Sequence, residues 1–275
     1  MAQKSTFESR SVYSTLYRTG PFMNKWLKIS FSLLISSLLH GTSINGALDE
    51  LKSDPYGFAF VDVGITKEDL ENFSSIDIQR EWVYHQFGEM ERVQEIFANF
   101  FGEIGVSEHA IILRAAERLK EIASDVVKAS GKETAWICLR SFIPTNRFDL
   151  PRWHVDGHYY RSDEPEDLIF KFALTLVGPT TLFYPISREL RKTTEKTVRN
   201  RQYMKNVCKQ ENIVSPKIGE GALFISGQYT SVAALHSEPP IHENRLFLSI
   251  VPCSEKQIIA LKSRVTALYP KDSRN

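Results

Sequence analysis

From residue 134 onward the chain breaks into short runs rich in β-branched and aromatic residues. They are TAWICLRSFI (134–143), IFKFALTLVG (169–178), TTLFYP (180–185), GALFISG (221–227) and RLFLSIVP (245–252), bounded by Pro, Gly or Asn. Such runs suit pleated, half-buried surfaces and are too short for independent helices. Several of them following a helical stretch predict an α+β protein, a β-sandwich or jelly roll carrying a helical layer. At 275 residues the chain can bury a substantial core.

Upstream the pattern differs. YGFAFVDVG (56–64) reads as a strand, and 66–101 reads as helices and loops. In 107–132 an apolar stripe of Ile111, Ile112, Ala115, Leu119, Ile122, Ala123, Val126 and Val127 predicts a helix, with Ser107 as its cap and Gly131 as its end. Nothing in that helix points to catalysis. Residues 23–47 carry lysines at 25 and 28, an apolar run from Ile29 to Leu39 and a small-residue stretch. That layout is a secretory leader starting at an internal Met, or else a buried amphipathic helix; the run is too short for a stable membrane span. The leader reading favours export, with a mature start near 44–48, and the other reading leaves the protein cytoplasmic. The organisation expected is thus a targeting or signal-like segment 1–47, a mainly helical part 48–134, and a strand-rich core 135–275 with a basic insertion at 187–212. The insertion holds eight Lys or Arg against three Glu, which a solvated helix explains and a docking surface for an anionic partner would also explain.

A formal net charge of +1 gives no global field for nucleic acid or membrane. The three cysteines, Cys138, Cys208 and Cys253, form no CxxC pair and read as buried free thiols. Oligomeric state is not encoded in any pattern here.

The chemistry concentrates in PRWHVDGHYYRSD (151–163). On a strand, His154 and Asp156 share a face and can grip one ion, and imidazole with carboxylate suits Fe(II), Mn(II) or Zn(II). A third ligand is required. His158 is nearest, but three ligands on one strand would spread over ~13 Å, and Gly157 interrupts the run. His236, in AALHSEPPIHENRLFLSIVP, is the alternative. His40, His85 and His109 have no companion at metal-site spacing, and His242 sits in a polar connection. Arg140, Ser141, Tyr159, Tyr160 and Thr175 fall where a barrel mouth could be lined, although strand hydroxyls and aromatics more often serve a core; of these, Tyr159 is singled out.

Taken together, His154-x-Asp156, the distal His236 and Arg245 nine residues later resemble the Fe(II)/2-oxoglutarate-dependent dioxygenases over about 135–252. The resemblance implies a double-stranded β-helix core with N-terminal helices packed on it. It implies Fe(II) held by His154, Asp156 and His236, and 2-oxoglutarate as cosubstrate, its distal carboxylate on Arg245 with Ser249 as helper. It further implies hydroxylation of a small-molecule or protein substrate whose identity is open, since family halogenases lack the carboxylate that Asp156 provides. Many members carry Ser or Thr two residues after the arginine, where this chain has Phe247. Two other functions compete. One is a non-catalytic jelly-roll module docking a partner through the basic insertion, including Arg199 and Arg201. The other is a metal-dependent hydrolase built on His154, Asp156 and His158. Free 2-oxoglutarate is a cytosolic metabolite, so an exported oxygenase would need another source of it or a destination such as a host cell's cytosol.

Overall fold

The computed structural model describes residues 42–156, 169–186, 200–227 and 232–268. Helix α1 (Ile44–Leu51) leads into β1 (Phe58–Asp62), α2 (Lys67–Ser74), the two-residue β2 (Asp77–Ile78), β3 (Trp82–Phe87) and α3 (Val93–Ile104). Then come β4 (Gly105–Val106), the long α4 (His109–Ala129), β5 (Thr134–Phe142), β6 (Phe170–Val177) and β7 (Leu182–Tyr184). Helix α5 (Arg201–Val207), β8 (Glu220–Ile225), β9 (Leu235–Ser237), β10 (Arg245–Cys253) and α6 (Glu255–Leu268) follow.

Six strands form one antiparallel sheet in the order β1-β8-β6-β10-β5-β3. Its faces are chemically distinct because side chains alternate along each strand. Leu246, Leu248 and Ile250 of β10, Ala135, Ile137 and Leu139 of β5, and Phe172, Leu174 and Leu176 of β6 share one apolar cluster with Phe97, Phe101, Leu119, Ile122 and Val126 of α3 and α4. Each such fully buried large side chain contributes roughly 1.5–3 kcal/mol relative to exposure, so this helix-on-sheet seam carries much of the fold's stability. The opposite face presents Arg140, Lys171, Ala173, Arg245 and Phe247 to a cavity.

Over that second face lies a small antiparallel ribbon, β7 with β9. Isolated pairs extend it at both sides, His154 with His236 and Phe183 with Val214. Phe183 locks the layers together: its ring lies 4.9 Å from that of Phe58 on β1 and 5.4 Å from that of Phe224 on β8. Contacts of this kind add to the area they bury.

All five strand-like runs of the C-terminal part become strands, as does 56–64, and the predicted helix is α4. Ser107 does not cap it: the N-cap position is Glu108, which makes no side-chain cap bond, and the Ser107 hydroxyl is buried with no hydrogen-bond partner among the described residues. Within 66–101, α2 and α3 are joined by an element the sequence did not signal, the edge strand β3. The mainly helical part 48–134 thus also supplies β1 and β3 to the main sheet. Residues 1–41, including most of the leader-like segment, lie outside the described residues, and α1 with its buried Ala47 and Leu51 spans the end of that segment. His158, Tyr159 and Tyr160 also lie outside them, as do positions 187–199 of the basic insertion. The insertion's described part includes α5, whose Met204 is buried with Trp153 and Tyr184. Among the described residues, no helix is long and apolar enough to cross a membrane.

Candidate metal centre

His154 and His236 come from distant parts of the chain and meet as a reciprocally hydrogen-bonded antiparallel pair. The His154 amide donates to the His236 carbonyl at 2.9 Å, and the His236 amide donates to the His154 carbonyl at 3.0 Å. Their rings then stand side by side, centroids 4.3 Å apart. Each ring is held by Nδ1 against the carbonyl two residues earlier, Arg152 at 2.7 Å and Ala234 at 3.2 Å. An Nδ1–H that donates to a carbonyl leaves the Nε2 lone pair free, which is the tautomer a metal requires.

Asp156, two residues beyond His154, is positioned through its backbone by the Gly227 amide, which donates to the Asp156 carbonyl at 2.7 Å. Its Oδ1 lies 3.6 Å from His154 Nε2, and its Oδ2 lies 3.6 Å from His236 Nε2. The three donor atoms fall within 4.8 Å of one another. They are too far apart to hydrogen-bond and close enough to share one ion at ligand bonds of about 2.1 Å. Two imidazole nitrogens and one carboxylate oxygen, with further coordination positions left to solvent or ligand, form a donor set suited to non-heme Fe(II). The residues present therefore fit the group.

Electrostatics support ligation. Burial pushes the Asp156 carboxyl up, but Lys171, His236 and His154 outweigh it and hold it far below the ordinary carboxylate range. Burial, with repulsion from His154, lowers His236 to about 4, so its imidazole is neutral near pH 7. Both groups are in the protonation state that a metal binds.

The triad faces a cavity of about 260 Å³. Among the described residues, its walls carry four cationic side chains, Arg140, Arg152, Lys171 and Arg245, against two acids, Asp156 and Glu238. Lys171 Nζ donates to Asp156 Oδ2 at 2.8 Å. Arg152 grips Glu238 with both Nε and Nη2. Burial pushes the Glu238 carboxyl up, yet His154 and Arg152 bring it down to about 2. Arg245 has a different setting, only 2% exposed and bonded to neutral acceptors. Its Nε donates to the Pro179 carbonyl at 2.8 Å and its Nη2 to Thr181 Oγ1 at 3.1 Å. Burial lowers its pKa to about 9, which still leaves it charged near neutrality.

The turn GPTT creates that setting. Gly178 has φ +78, and a Cβ there would meet the Asn244 carbonyl oxygen at 2.2 Å. Only glycine lets this turn lie against the start of β10 and bring Pro179 and Thr181 to the guanidinium. Phe247 sits beneath Arg245, its ring 4.5 Å from the guanidinium carbon. The residue that departs from the common pattern is thus a shelf for the arginine.

Of the other sequence candidates, Arg140 lines the cavity. Ser249, buried opposite Cys138 and Ala173, lies deeper on the same strand face and is not among the lining residues. Thr175 is also buried away from the lining, and Ser141 donates to the Arg80 carbonyl at 2.8 Å. His242 is exposed, as its polar connection implied. All three cysteines are free and buried. Burial raises the Cys138 thiol, but Arg140, whose Nε lies 3.3 Å from its sulfur, and His85 outweigh it and lower it to about 6. Lys171, Arg152, Thr181 and Glu238 were not anticipated. The usable signal was Lys171, a single charge inside the otherwise apolar run IFKFALTLVG.

No family model and no curated protein matches the chain. Among solved structures it is similar to a prolyl-4-hydroxylase of Pseudomonas putida, at 14% identity over 78% of this chain and 97% of that one, TM-score 0.40. It is also similar to a rice dioxygenase for auxin oxidation, at 10% identity over 80% and 82%, TM-score 0.42. A third is an oxidoreductase of the 2OG-Fe(II) oxygenase family from Burkholderia pseudomallei, at 9% identity over 77% and 90%, TM-score 0.37. The chemistry rests instead on the triad and its cavity. In the order of its site residues the chain is similar to the Fe(II)/2-oxoglutarate-dependent dioxygenases.

Proposed function

We propose that the protein is a non-heme iron oxygenase that uses 2-oxoglutarate to oxidise a second substrate, a small molecule or a protein, with hydroxylation as the outcome. The observation that carries this reading is the convergence of His154, Asp156 and His236 donors within 4.8 Å on the wall of a cavity that also contains Arg245. Bound by His154, Asp156 and His236, Fe(II) would supply the redox chemistry that oxidation of the second substrate needs. The chain's own side chains do the rest. The Nδ1 bonds fix both imidazoles so that Nε2 points at the ion, and Asp156 adds the charge-neutralising oxygen. Arg245, pre-positioned on the neutral acceptors Pro179 and Thr181, takes the distal carboxylate of 2-oxoglutarate, for which a guanidinium fork is apt. Phe247 and Phe224 make part of the cavity wall apolar.

The path of the chain supports the same reading. β5, β6, β8 and β10 lie in the large sheet, while His154, β7, Val214 and β9 pair in the small ribbon, an alternation along the sequence that a double-stranded β-helix would require. The test is succinate release from 2-oxoglutarate by protein reconstituted anaerobically with Fe(II) and then exposed to air. The expected result is iron-dependent release that His154→Ala abolishes. Iron uptake with no turnover of 2-oxoglutarate, coupled or uncoupled, would contradict the reading.

A further inference from the structure

Lys171 is an ammonium buried beside a metal ligand, and its placement calls for a role. Its side chain is 12% exposed and that of Asp156 is 11% exposed, with the 2.8 Å bond between them. Burying such a pair gains the fold little over apolar residues of the same shape. For plain metal storage the lysine is a handicap, since it competes for the carboxylate and repels a divalent ion. It becomes useful when an anion joins the ion, because that anion then lies against a second positive charge.

The strand register separates this charge from Arg245. Val177 of β6 stands opposite Leu246, the neighbour of Arg245, whereas Lys171 lies six residues earlier on β6, opposite Phe224 of β8. The two backbones are therefore roughly 20 Å apart along the strands. Both side chains nevertheless reach into the same cavity, Lys171 at the triad end and Arg245 at the Thr181 end. A ligand carrying one acid group at each end would pair with both charges at once, one at the triad end and one at the Thr181 end.

We propose that Lys171 receives the metal-side carboxylate of the oxoacid, while Arg245 receives the distal one. The assignment rests on the oxygenase reading above and deepens it by dividing recognition of the cosubstrate between two strands. Lys171 is a binding residue in this scheme, and its cost to metal affinity is offset by the ligand it admits.

The experiment is a calorimetric double-mutant cycle on Mn(II)-loaded protein titrated with 2-oxoglutarate, using Lys171→Met, Arg245→Met and the pair, with Lys171→Arg as the charge-conserving control. Each single change is expected to weaken 2-oxoglutarate by roughly tenfold or more, as loss of a charge-assisted bond does. The double change is expected to multiply the two losses, because the groups hold different ends, and Lys171→Arg to retain most of the affinity. Mn(II) itself, titrated without oxoacid, is expected to bind Lys171→Met more tightly than the wild-type protein. Wild-type affinity for 2-oxoglutarate in Lys171→Met, or a double loss no larger than that of Arg245→Met alone, would overturn the proposal. Failure of the wild-type Mn(II) protein to bind 2-oxoglutarate would instead remove the oxygenase reading, leaving the Mn(II) comparison to report on Lys171 by itself. Thermal unfolding with and without Mn(II) checks folding, and Lys171→Arg keeps the test decisive if Lys171→Met is unstable.

Discussion

The guanidinium of Arg245 lies 4.5 Å over the ring of Phe247, two residues along the same strand face. Phe247→Ser would remove this shelf while leaving the bonds to Pro179 and Thr181 in place. A cation over an aromatic ring is worth about 0.5–2 kcal/mol. The expected outcome is a loss of 2-oxoglutarate affinity of a few-fold to about 30-fold, with Mn(II) affinity unchanged, both read by calorimetry.

Gly178 tests the turn that seats Arg245. Gly178→Ala places a methyl against the Asn244 carbonyl in a backbone region that L-residues avoid. It is expected to destabilise the protein by more than about 1 kcal/mol in denaturant unfolding. Because the turn carries Pro179 and Thr181, it should weaken 2-oxoglutarate binding as well. A stable variant with unaltered affinity would show that the turn does not position Arg245.

Cys138 gives a pH signature outside the cluster of His154, Asp156 and His236. Its pKa falls from 9.0 to about 6 in the folded protein, while burial raises Cys208 to about 12 and Cys253 to about 11. A group with a depressed folded pKa contributes stability that is fully present above its unfolded value and is lost as pH falls through its folded value. Wild-type protein is thus expected to gain stability over Cys138→Ser as pH rises from 6 to 9. Ultraviolet thiolate absorbance should report one thiolate per chain within that window. A flat difference between the two proteins would mean that Arg140 and His85 do not hold a thiolate.

How far the sequence could be read follows from which forces are local. The strands β5, β6, β8 and β10 were legible because their β-branched and aromatic runs end at turn residues, and α4 because its apolar stripe has the helical period. His154 and Asp156 were legible as i and i+2 on an extended segment. By contrast, β3 escaped notice because WVYHQF shows no clean alternation, and its stability comes from pairing with β5 across α3 and α4. Ser107 looked like a cap, but the helix starts one residue later than that cap requires. Lys171 could be seen as an anomaly but not assigned, since only the packing of the small ribbon on the large sheet brings Asp156 beside it. Phe247 departs from the common pattern in the sequence, and only the fold places its ring under Arg245. Ser249 shares the strand face of Arg245, yet the depth of the cavity, which strand geometry alone does not set, leaves it below the lining.

The central claim is that His154, Asp156 and His236 hold a metal ion together, and metal content tests it most directly. Anaerobically prepared wild-type protein is expected to bind a single Fe(II) per chain. His236→Ala and His154→Ala should each lose that ion, while His158→Ala retains it. A wild-type protein that binds no iron, or one whose iron survives His236→Ala and is lost in His158→Ala, would contradict the account.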